Sequence, residues 1–352
     1  MTSPNSPTEP QSSGGEAGDA ALEAARALVD LSLGHLYTAA LDTVVTHRIA
    51  DHLADGPLTP DELADRAGVR AQPLRRVLRL LAGRGVFREE DDGTFRLTAA
   101  AELLRDVPGS LRDGIVLTAG GLMNRAVADL PDTVRTGVPG FDTVYGAPFF
   151  AHLARHPDAQ QMFDRAMTSL SGPINDIVVA HYPFPDSGTV VDVGGGRGGL
   201  LRAALERNPG LSGVLFDQEQ TVPDHLLDTK ELTGRWRVES GDFFEAVPSG
   251  GDVYLLKNIL HDWSDEECVR ILRAIRAAVP PSGRLVAVDV VLPPGNDPHP
   301  GKAIDLVMLA LVTGRERTRE EFASLFQEAG FALTQVIATP ALPSVIEATP
   351  LP

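Results

Sequence analysis

The chain has 352 residues, of which 43% are hydrophobic and 22% are charged, a length and composition typical of a globular protein with two domains. The formal net charge of −17 argues against a nucleic-acid-binding protein, because affinity for phosphates depends on Lys and Arg. A single cysteine, Cys268, excludes an internal disulfide and a multi-cysteine zinc site. No apolar stretch has membrane-spanning length and no leader pattern opens the chain. We therefore expect a cytoplasmic protein without a membrane partner.

Residues 1–18 are rich in Ser, Pro, Gly and Glu, a composition that predicts a disordered tail. From Ala20 to about Leu53 the pattern is helical, with apolar residues too dense for one amphipathic face. Such helices need burial on more than one side. This density indicates a homodimer interface, although an intrachain core explains it nearly as well.

A helix-turn-helix pattern with a two-stranded wing follows. Thr59 and Glu62 form a capping-box signature for a first helix, and a second helix follows Gly68. Two short strands, at 86–88 and 95–97, flank the turn dipeptide Asp-Gly. This winged-helix pattern indicates either a DNA-binding module or a packing module.

The charge balance favours the packing module. The arginines assigned to the second helix are Arg75, Arg76, Arg79 and Arg84. Residues 21–115 contain twelve arginines and no lysine against fifteen acidic residues, which is not the footprint of a polyanion-binding surface. We therefore expect no nucleic-acid partner.

Residues 188–199 predict a strand, a tight turn and the start of a helix. A β-branched run ends in Gly194, Gly196 and Gly199, the spacing of a dinucleotide-binding turn. Asp192 stands where nicotinamide-binding turns usually carry an apolar residue. A carboxylate there suits a cationic ligand such as S-adenosylmethionine, so a nicotinamide-dependent dehydrogenase is disfavoured.

The second half of the chain predicts an α/β fold. Strands are expected at 189–193, 213–217, 235–239, 252–258 and 284–292, with helices between them, followed by a hairpin at 332–338 and 343–348. Alternating strands and helices predict a parallel sheet covered on both faces, with the hairpin at one edge. Ligands of such sheets bind at the carboxyl ends of the strands.

Several side chains at those strand ends suit an adenosyl cofactor. Asp217 ends the second strand at the spacing from the glycine turn where an acid binds ribose hydroxyls. After the third strand, Gly241 permits a sharp turn, Asp242 offers a carboxylate to an adenine amino group, and Phe243 offers a ring to the base. Lys257 lies near the end of the fourth strand, where a buried lysine needs a partner or a ligand carboxylate.

A candidate general base follows the fourth strand. His261 lies before the helix that Ser264 caps, with Asp262 beside it. Asp289 in the fifth strand and Glu316 before a later helix bring two more carboxylates to the same rim. A lone histidine is more often structural, but an imidazole oriented by carboxylates has what a general base needs.

Three further segments carry a family resemblance: LKNILHDW at 256–263, VDVVLP at 288–293 and GRERT at 314–318. With the glycine turn, they resemble the signatures of the plant caffeic-acid type O-methyltransferase family, from about residue 20 to 350. The resemblance implies a class I methyltransferase fold, an S-adenosylmethionine cofactor and a homodimer formed by the winged N-terminal region. Bacterial members methylate hydroxyls of polyketides and other aromatic natural products, as in antibiotic biosynthesis.

The resemblance also implies roles for single residues. His261 matches the catalytic base, Asp289 and Glu316 the flanking acids, and Asp262 the residue beside the base. The positions that match cofactor contacts are Gly194, Asp217, Asp242, Phe243 and Lys257. The positions that match the acceptor pocket are Phe163, Met167 and Met308, although core packing is the simpler interpretation of Phe163 and Met167.

Two positions depart from the family pattern. Plant members usually have Glu at the position of Asp289, and they often have Asn near the position of Val312. The shorter acid reaches less far towards His261, and the missing amide removes an acceptor contact. The resemblance therefore does not identify the acceptor.

We accordingly divide the chain into a tail (1–18), a winged dimerisation domain (19–115), a helical bridge over the acceptor (116–182) and a cofactor-binding catalytic domain (183–352). The predicted reaction is methyl transfer to a phenolic hydroxyl of an aromatic compound, with no metal. Two alternatives remain open. One is the same fold used for hydroxylation or cyclisation, and the other is a winged-helix regulator with a ligand-sensing domain.

Overall fold

The computed structural model describes the backbone of residues 13–352 and the side chains of residues 19–352. Residues 1–12 of the predicted disordered tail lie outside the described residues. The first helix begins at Ser13, so the predicted helix start near Ala20 is wrong. The chain forms two compact units, divided between Asp106 and Val107, and the four-part division remains a prediction.

The first unit contains helices and one short hairpin. Its elements are α1 (Ser13–Ser32), α2 (Gly34–Thr46), α3 (Ile49–His52), α4 (Pro60–Ala67), α5 (Ala71–Ala82), β1 (Phe87–Glu89), β2 (Phe95–Leu97) and α6 (Ala99–Glu102). The predicted capping box is present, because Thr59 and Glu62 exchange hydrogen bonds at the start of α4. On α5, Leu74, Leu78 and Leu81 are buried, as an amphipathic helix requires. The predicted helix pair and hairpin are therefore confirmed as elements.

Three of the arginines considered for DNA binding are paired within this unit. Arg75 and Arg79 both contact Glu89, at 3.4 and 3.0 Å. Arg84 contacts Asp30 at 2.8 Å. Arg84 lies beyond the end of α5, so its predicted place on the second helix is wrong.

The first two helices leave large apolar side chains exposed in the single chain. Leu28 and Leu31 of α1 are 68% and 76% exposed, and Leu33 and Leu36 are also exposed. Further along α2, by contrast, Val44 is 1% exposed. The core of this unit therefore buries only some of the apolar side chains of this region.

The second unit begins with helices and continues as an α/β sheet. Its helices before the sheet are α7 (Arg112–Ala119), α8 (Gly121–Ala128), α9 (Leu130–Thr136), α10 (Gly140–Tyr145), α11 (Phe149–Arg155) and α12 (Pro157–His181). The sheet region contains β3 (Gly188–Val193), α13 (Gly199–Arg207), β4 (Leu211–Asp217), β5 (Trp236–Ser240), β6 (Val253–Lys257), α14 (Asp265–Ala278), β7 (Arg284–Asp289), α15 (Pro300–Leu311), α16 (Arg319–Glu328), β8 (Phe331–Ile337) and β9 (Ser344–Pro350).

The seven strands have the order β5-β4-β3-β6-β7-β9-β8. Strands β3 to β7 pair in parallel, and β9 pairs antiparallel with both β7 and β8. The predicted α/β class and the antiparallel edge hairpin are confirmed. The predicted strand at 284–292 is too long, because β7 ends at Asp289.

The expectation that helices separate the first five strands is wrong for two connections. Between β4 and β5 the chain forms only two short 3-10 turns, and between β5 and β6 the structure has no helix. Residues 218–235 and 241–252 are rich in Thr, Pro, Gly and Asp and lack a helical apolar period. An apolar face is needed to hold a helix on a sheet, so these segments remain loops.

Apolar side chains alternate between the two faces of the sheet. Val191 and Leu256 pack with α14 and α16 on one face, whereas Val190 and Leu255 pack with α12 and α13 on the other. The register aligns the carboxyl ends of the strands, pairing Asp217 with Ser240 and Lys257 with Val288. The polar residues that follow the strands therefore lie along one edge.

Candidate active site

The glycine turn after β3 surrounds a buried carboxylate. Gly194 and Gly196 adopt φ angles of 66° and 58°, in the left-handed region that glycine favours. A Cβ at Gly195 would lie 2.5 Å from Oδ2 of Asp192. The Asp192 side chain is 1% exposed, and within the part of the chain that the structure describes neither of its oxygens has a hydrogen-bond partner.

Burial raises the pKa of Asp192 to about 7, with Lys257 opposing and Asp217 adding to the rise. Burial also lowers the pKa of Lys257 to about 8, while Asp192 and Asp289 favour its charge. An unpaired buried carboxylate is costly. The buried carboxylate of Asp192 therefore fits a cationic group of a ligand at the turn.

The turn is held against the neighbouring strand by Asp217. Its Oδ2 accepts a hydrogen bond from the backbone N–H of Gly196 at 2.8 Å, and its Oδ1 accepts one from Gln218 at 2.7 Å. Asn175 of α12 approaches the same region, since a Cβ at Gly199 would lie 2.8 Å from its Nδ2. The Oδ1 of Asn175 is buried and has no hydrogen-bond partner among the residues that the structure describes. These groups fit a polar ligand at the N-terminus of α13.

The loop after β5 forms the other side of the cofactor region. A Cβ at Gly241 would lie 2.8 Å from the ring of Phe216, so the close approach requires glycine. Asp242 is exposed and its Oδ1 accepts a hydrogen bond from the N–H of Phe244 at 2.8 Å. Phe243 is half-buried. The contacts of Asp242 and Phe243 with adenine remain predictions.

The loop after β6 carries the candidate base next to the glycine turn. Asn258 adopts a left-handed φ of 52°, a conformation that Asn tolerates better than most residues, and its N–H donates to the carbonyl of Val288. A Cβ at Gly194 would lie 2.6 Å from Cδ1 of Ile259. The loop that begins at Asn258 therefore packs against the turn, and it places His261 beside the cofactor region.

His261 contacts one of the three predicted acids directly. Its Nδ1 lies 2.9 Å from Oε1 of Glu316. Oδ1 of Asp262 lies 3.7 Å from Nε2, and Oδ1 of Asp289 lies 4.0 Å from Nδ1. The three acids converge on the histidine as predicted, but Asp289 is too distant for a hydrogen bond. Among the described residues, both oxygens of Asp289 lack hydrogen-bond partners.

These charges shift the ionisation of the group. Burial lowers the pKa of His261, but Asp262, Glu316 and Asp289 more than offset this and raise it to about 10. Burial raises the pKa of Asp262 to about 6 and that of Asp289 to about 7, against the opposing charge of His261. The cluster therefore retains at least one proton at neutral pH.

Glu316 is positioned by the segment between α15 and α16. Its backbone N–H donates to Oδ1 of Asp305 on α15 at 2.8 Å. Two residues earlier, a Cβ at Gly314 would overlap the carbonyl oxygen of His261. Only glycine allows the two segments to approach this closely, which brings Glu316 within reach of the imidazole.

An apolar cluster lies beside the histidine loop. Phe163 and Met167 on α12 pack in one cluster with Leu311 of α15, while Met308 is half-buried on α15. The core of this cluster is Leu117, Met123, Ala126, Phe141, Phe149, Leu153, Ala166 and Leu311. Phe150 at the start of α11 stacks on Trp263, with ring centroids 5.7 Å apart. The apolar region therefore reaches the loop that carries the base.

Sequence reasoning missed four residues of this region: Asn175, Asp305, Phe150 and Arg317. The Arg317 position was visible within the GRERT motif, and Asp305 lies on the same helix as Met308. Nothing in the local pattern marks Asn175 or Phe150, because their contacts are made by distant segments. Cys268 is buried, and its Sγ lies 3.1 Å from the carbonyl oxygen of Leu260.

The sheet order, the glycine turn and the acids at the strand ends define a class I S-adenosylmethionine-dependent methyltransferase. A family model described as the O-methyltransferase domain matches residues 127–332. A second model, the O-methyltransferase dimerisation domain, matches residues 29–106. The chain belongs to this O-methyltransferase family.

Relatives span nearly the whole chain. It is 39% identical to the phenazine O-methyltransferase PhzM of Lysobacter antibioticus, covering 92% of this chain and 96% of that one. It is 38% identical to an O-demethylpuromycin O-methyltransferase of Streptomyces alboniger, covering 92% and 89%. The structure of CalO1, a methyltransferase of calicheamicin biosynthesis solved with S-adenosylhomocysteine, matches with a TM-score of 0.85 and 41% identity, covering 94% of this chain and 98% of that one.

Several predictions are thereby confirmed. The protein is an enzyme, and its cofactor is S-adenosylmethionine. The dimerisation-domain match supports a homodimer and includes Leu31, Leu33 and Leu36, which the single chain leaves exposed. Similar proteins of natural-product pathways methylate nitrogen as well as oxygen. Within residues 13–352, no helix is long and apolar enough to cross a membrane.

Proposed function

We propose that this enzyme transfers the methyl group of S-adenosylmethionine to a phenolic hydroxyl of an aromatic or polycyclic natural product, with His261 as the general base. The observation that carries the proposal is the 2.9 Å hydrogen bond between His261 Nδ1 and Glu316 Oε1. The loop that carries His261 packs against the glycine turn through Ile259. The cofactor supplies an electrophilic methyl group on a sulfonium cation.

The hydrogen bond fixes which nitrogen can act. When Nδ1–H donates to Glu316, Nε2 is the nitrogen that accepts a proton from the acceptor hydroxyl. Asp262 lies 3.7 Å from Nε2 and stabilises the imidazolium formed by that transfer. Asp289 contributes charge but no hydrogen bond, because its oxygen is 4.0 Å from Nδ1.

The buried acids make His261 a strong base that is mostly protonated before the cofactor binds, since they raise its pKa to about 10. A nearby cation disfavours the imidazolium. Binding of a positively charged cofactor at the Asp192 side therefore lowers the pKa of His261. This coupling moves the imidazole towards the neutral form that can accept a proton.

The apolar cluster supports an aromatic acceptor. Phe163, Met167 and Phe150 offer aromatic rings and a thioether, which pack favourably on flat rings. The side chain of Val312 has no amide that could bind a polar group of the methyl acceptor. We infer that shape and stacking, more than hydrogen bonds, select the acceptor.

The proposal is tested by incubating the enzyme with methyl-labelled S-adenosylmethionine and a panel of naphthols, hydroxyphenazines and matched aromatic amines. Label on a phenolic oxygen, with equimolar S-adenosylhomocysteine, is the expected result. Label on the amines alone would show a nitrogen acceptor. Cofactor consumption with an oxidised or cyclised product and no methylated one would show other chemistry on this fold.

A further inference from the structure

Arg317 contacts both ends of the turn that carries His261. The guanidinium is 1% exposed. Its Nη1 donates to the carbonyl of Leu260 at 2.6 Å, and its Nη2 donates to the carbonyl of Trp263 at 3.0 Å. Leu260 directly precedes His261, and Trp263 directly follows Asp262. One planar group therefore spans the two residues that present the base.

The backbone of Arg317 is fixed to the segment that follows β7. Its carbonyl accepts a hydrogen bond from the N–H of Leu292 at 2.9 Å, and it forms an isolated parallel bridge with Val291. Arg317 also directly follows Glu316, whose carboxylate holds Nδ1 of His261. The same short segment therefore sets both the orientation of the imidazole and the position of its backbone.

The guanidinium also binds Asp265, the first residue of α14. Its Nε and Nη2 lie 2.9 and 2.6 Å from Oδ1 of that residue. The Asp265 side chain is 53% exposed while the Arg317 side chain is 1% exposed, so a partly hydrated carboxylate neutralises a buried guanidinium. The carbonyl contact to Leu260 is buried and the one to Trp263 is partly buried, so solvent has little access to either.

We propose that Arg317 is a positioning residue for the methyl transfer, holding the turn at Leu260–Asp262 so that His261 meets the acceptor hydroxyl. The proposal rests on the proposed role of His261 as the base. A lysine at this position keeps the charge but lacks the planar fork that reaches two carbonyls at once. Arg317→Lys therefore separates position from charge.

Arg315 is the matched control. It binds the same Asp265 at 3.0 Å, but it is 42% exposed, and among the side chains of residues 19–352 its only other partner is Glu321. Asp265→Asn supplies the second control, because it removes the ion pair and leaves both carbonyls in place.

The test measures kcat and acceptor KM with the best phenol of the panel, S-adenosylhomocysteine affinity by calorimetry, thermal unfolding, and the ¹³Cε1 signal of His261 by NMR. For Arg317→Lys we expect kcat to fall about 10- to 100-fold, the scale of a small misplacement of a reacting group. Cofactor-product affinity should stay within about threefold, and the His261 signal should shift. Arg315→Lys should leave all four readouts near those of the parent. Asp265→Asn should lower the unfolding temperature, because it leaves the buried guanidinium without its carboxylate, but it should keep kcat and cofactor-product affinity near the parent values.

Three results overturn the proposal: an unchanged kcat for Arg317→Lys, a parallel loss of kcat, cofactor-product affinity and unfolding temperature, or an equal kcat loss in Asp265→Asn. If Arg317→Lys does not fold, Arg317→Gln is measured in its place, because its side-chain amide can donate to a carbonyl but lacks the fork that reaches two. A kcat loss in Arg317→Gln with cofactor-product affinity near the parent value then supports the proposal, and a kcat near the parent value refutes it. His261→Ala at the parent rate would instead refute the proposed function, whereas an impaired His261→Ala with a normal Arg317→Lys refutes only this inference.

Discussion

His261 and Glu316, separated by 55 residues in the chain, share a 2.9 Å hydrogen bond between Nδ1 and Oε1. The carboxylate selects the tautomer with a proton on Nδ1 and leaves Nε2 as the reactive nitrogen. Oδ1 of Asp289, the other predicted flanking acid, lies 4.0 Å from Nδ1, which is too far for a hydrogen bond. The base is therefore oriented by one acid and polarised by the others.

The first prediction concerns pH. The acids raise the pKa of His261 to about 10, so the neutral imidazole becomes more abundant as pH rises from 7 to 9, and kcat/KM should rise with it. Asp262→Asn removes the largest of the charges that raise this pKa. The pH profile of the variant should therefore shift to lower pH with the same phenol, and a shift to higher pH or a flat profile would contradict the assignment.

The second prediction concerns Asp192. Its pKa is raised to about 7 by burial, so its contribution to stability is fully present below its ordinary pKa and is lost as pH rises through about 7. A buried carboxylate without a hydrogen-bond partner lowers the free energy of unfolding by about 1–3 kcal/mol. Asp192→Asn removes this carboxylate. At pH 8 the variant should unfold at a higher temperature and bind S-adenosylmethionine more weakly, with a smaller stability difference at pH 4.

The matched control for that variant is Asp228→Asn, since Asp228 is exposed. It should change neither the unfolding temperature nor cofactor affinity. A lower unfolding temperature for Asp192→Asn at pH 8 would show that the native site pairs this carboxylate without a ligand.

The third prediction concerns Asp217, whose two oxygens accept hydrogen bonds from Gly196 and Gln218. Asp217→Ala should weaken S-adenosylhomocysteine binding by about 1.5–3 kcal/mol, the scale of hydrogen bonds to a charged group. Part of that loss comes from the released glycine turn. Isothermal titration calorimetry measures it, and unchanged affinity would remove Asp217 from the cofactor site.

The fourth prediction concerns the dimer. Leu28 and Leu31 are 68% and 76% exposed in the single chain, so Leu28→Asp with Leu31→Asp should weaken association without unfolding the chain. Sedimentation velocity and circular dichroism measure the two effects. A monomeric parent protein at micromolar concentration would contradict the homodimer.

The presence of the sheet strands and the capped helix starts were predictable because their causes are local. Buried parallel strands require apolar residues on both faces, as the run ending at Val193 shows. The capping boxes at Thr59 and Ser264 depend on residues three positions apart. The helix expected between β4 and β5 does not form, because the apolar residues of 218–235 do not recur with the spacing of a helix.

The site was predictable as a set of residue types but not as a set of contacts. Motif spacing brought Asp289 to the correct strand end, yet whether it reaches His261 depends on the separation of two segments and on one methylene group. Arg317 lies within the GRERT motif, but its carbonyl partners at Leu260 and Trp263 come from a different loop. Long-range packing decides such contacts, and no local pattern encodes them.

The most direct test of the account is the turnover of His261→Ala with a phenol of pKa near 10 and with a more acidic phenol. Removing a positioned base should lower turnover about 10²- to 10⁴-fold for the first phenol. The loss should be smaller for the second, because an ionised oxygen needs no base. Affinity for S-adenosylhomocysteine should remain close to the parent value. If the variant methylates the weakly acidic phenol at the parent rate, His261 is structural and the proposed mechanism is wrong.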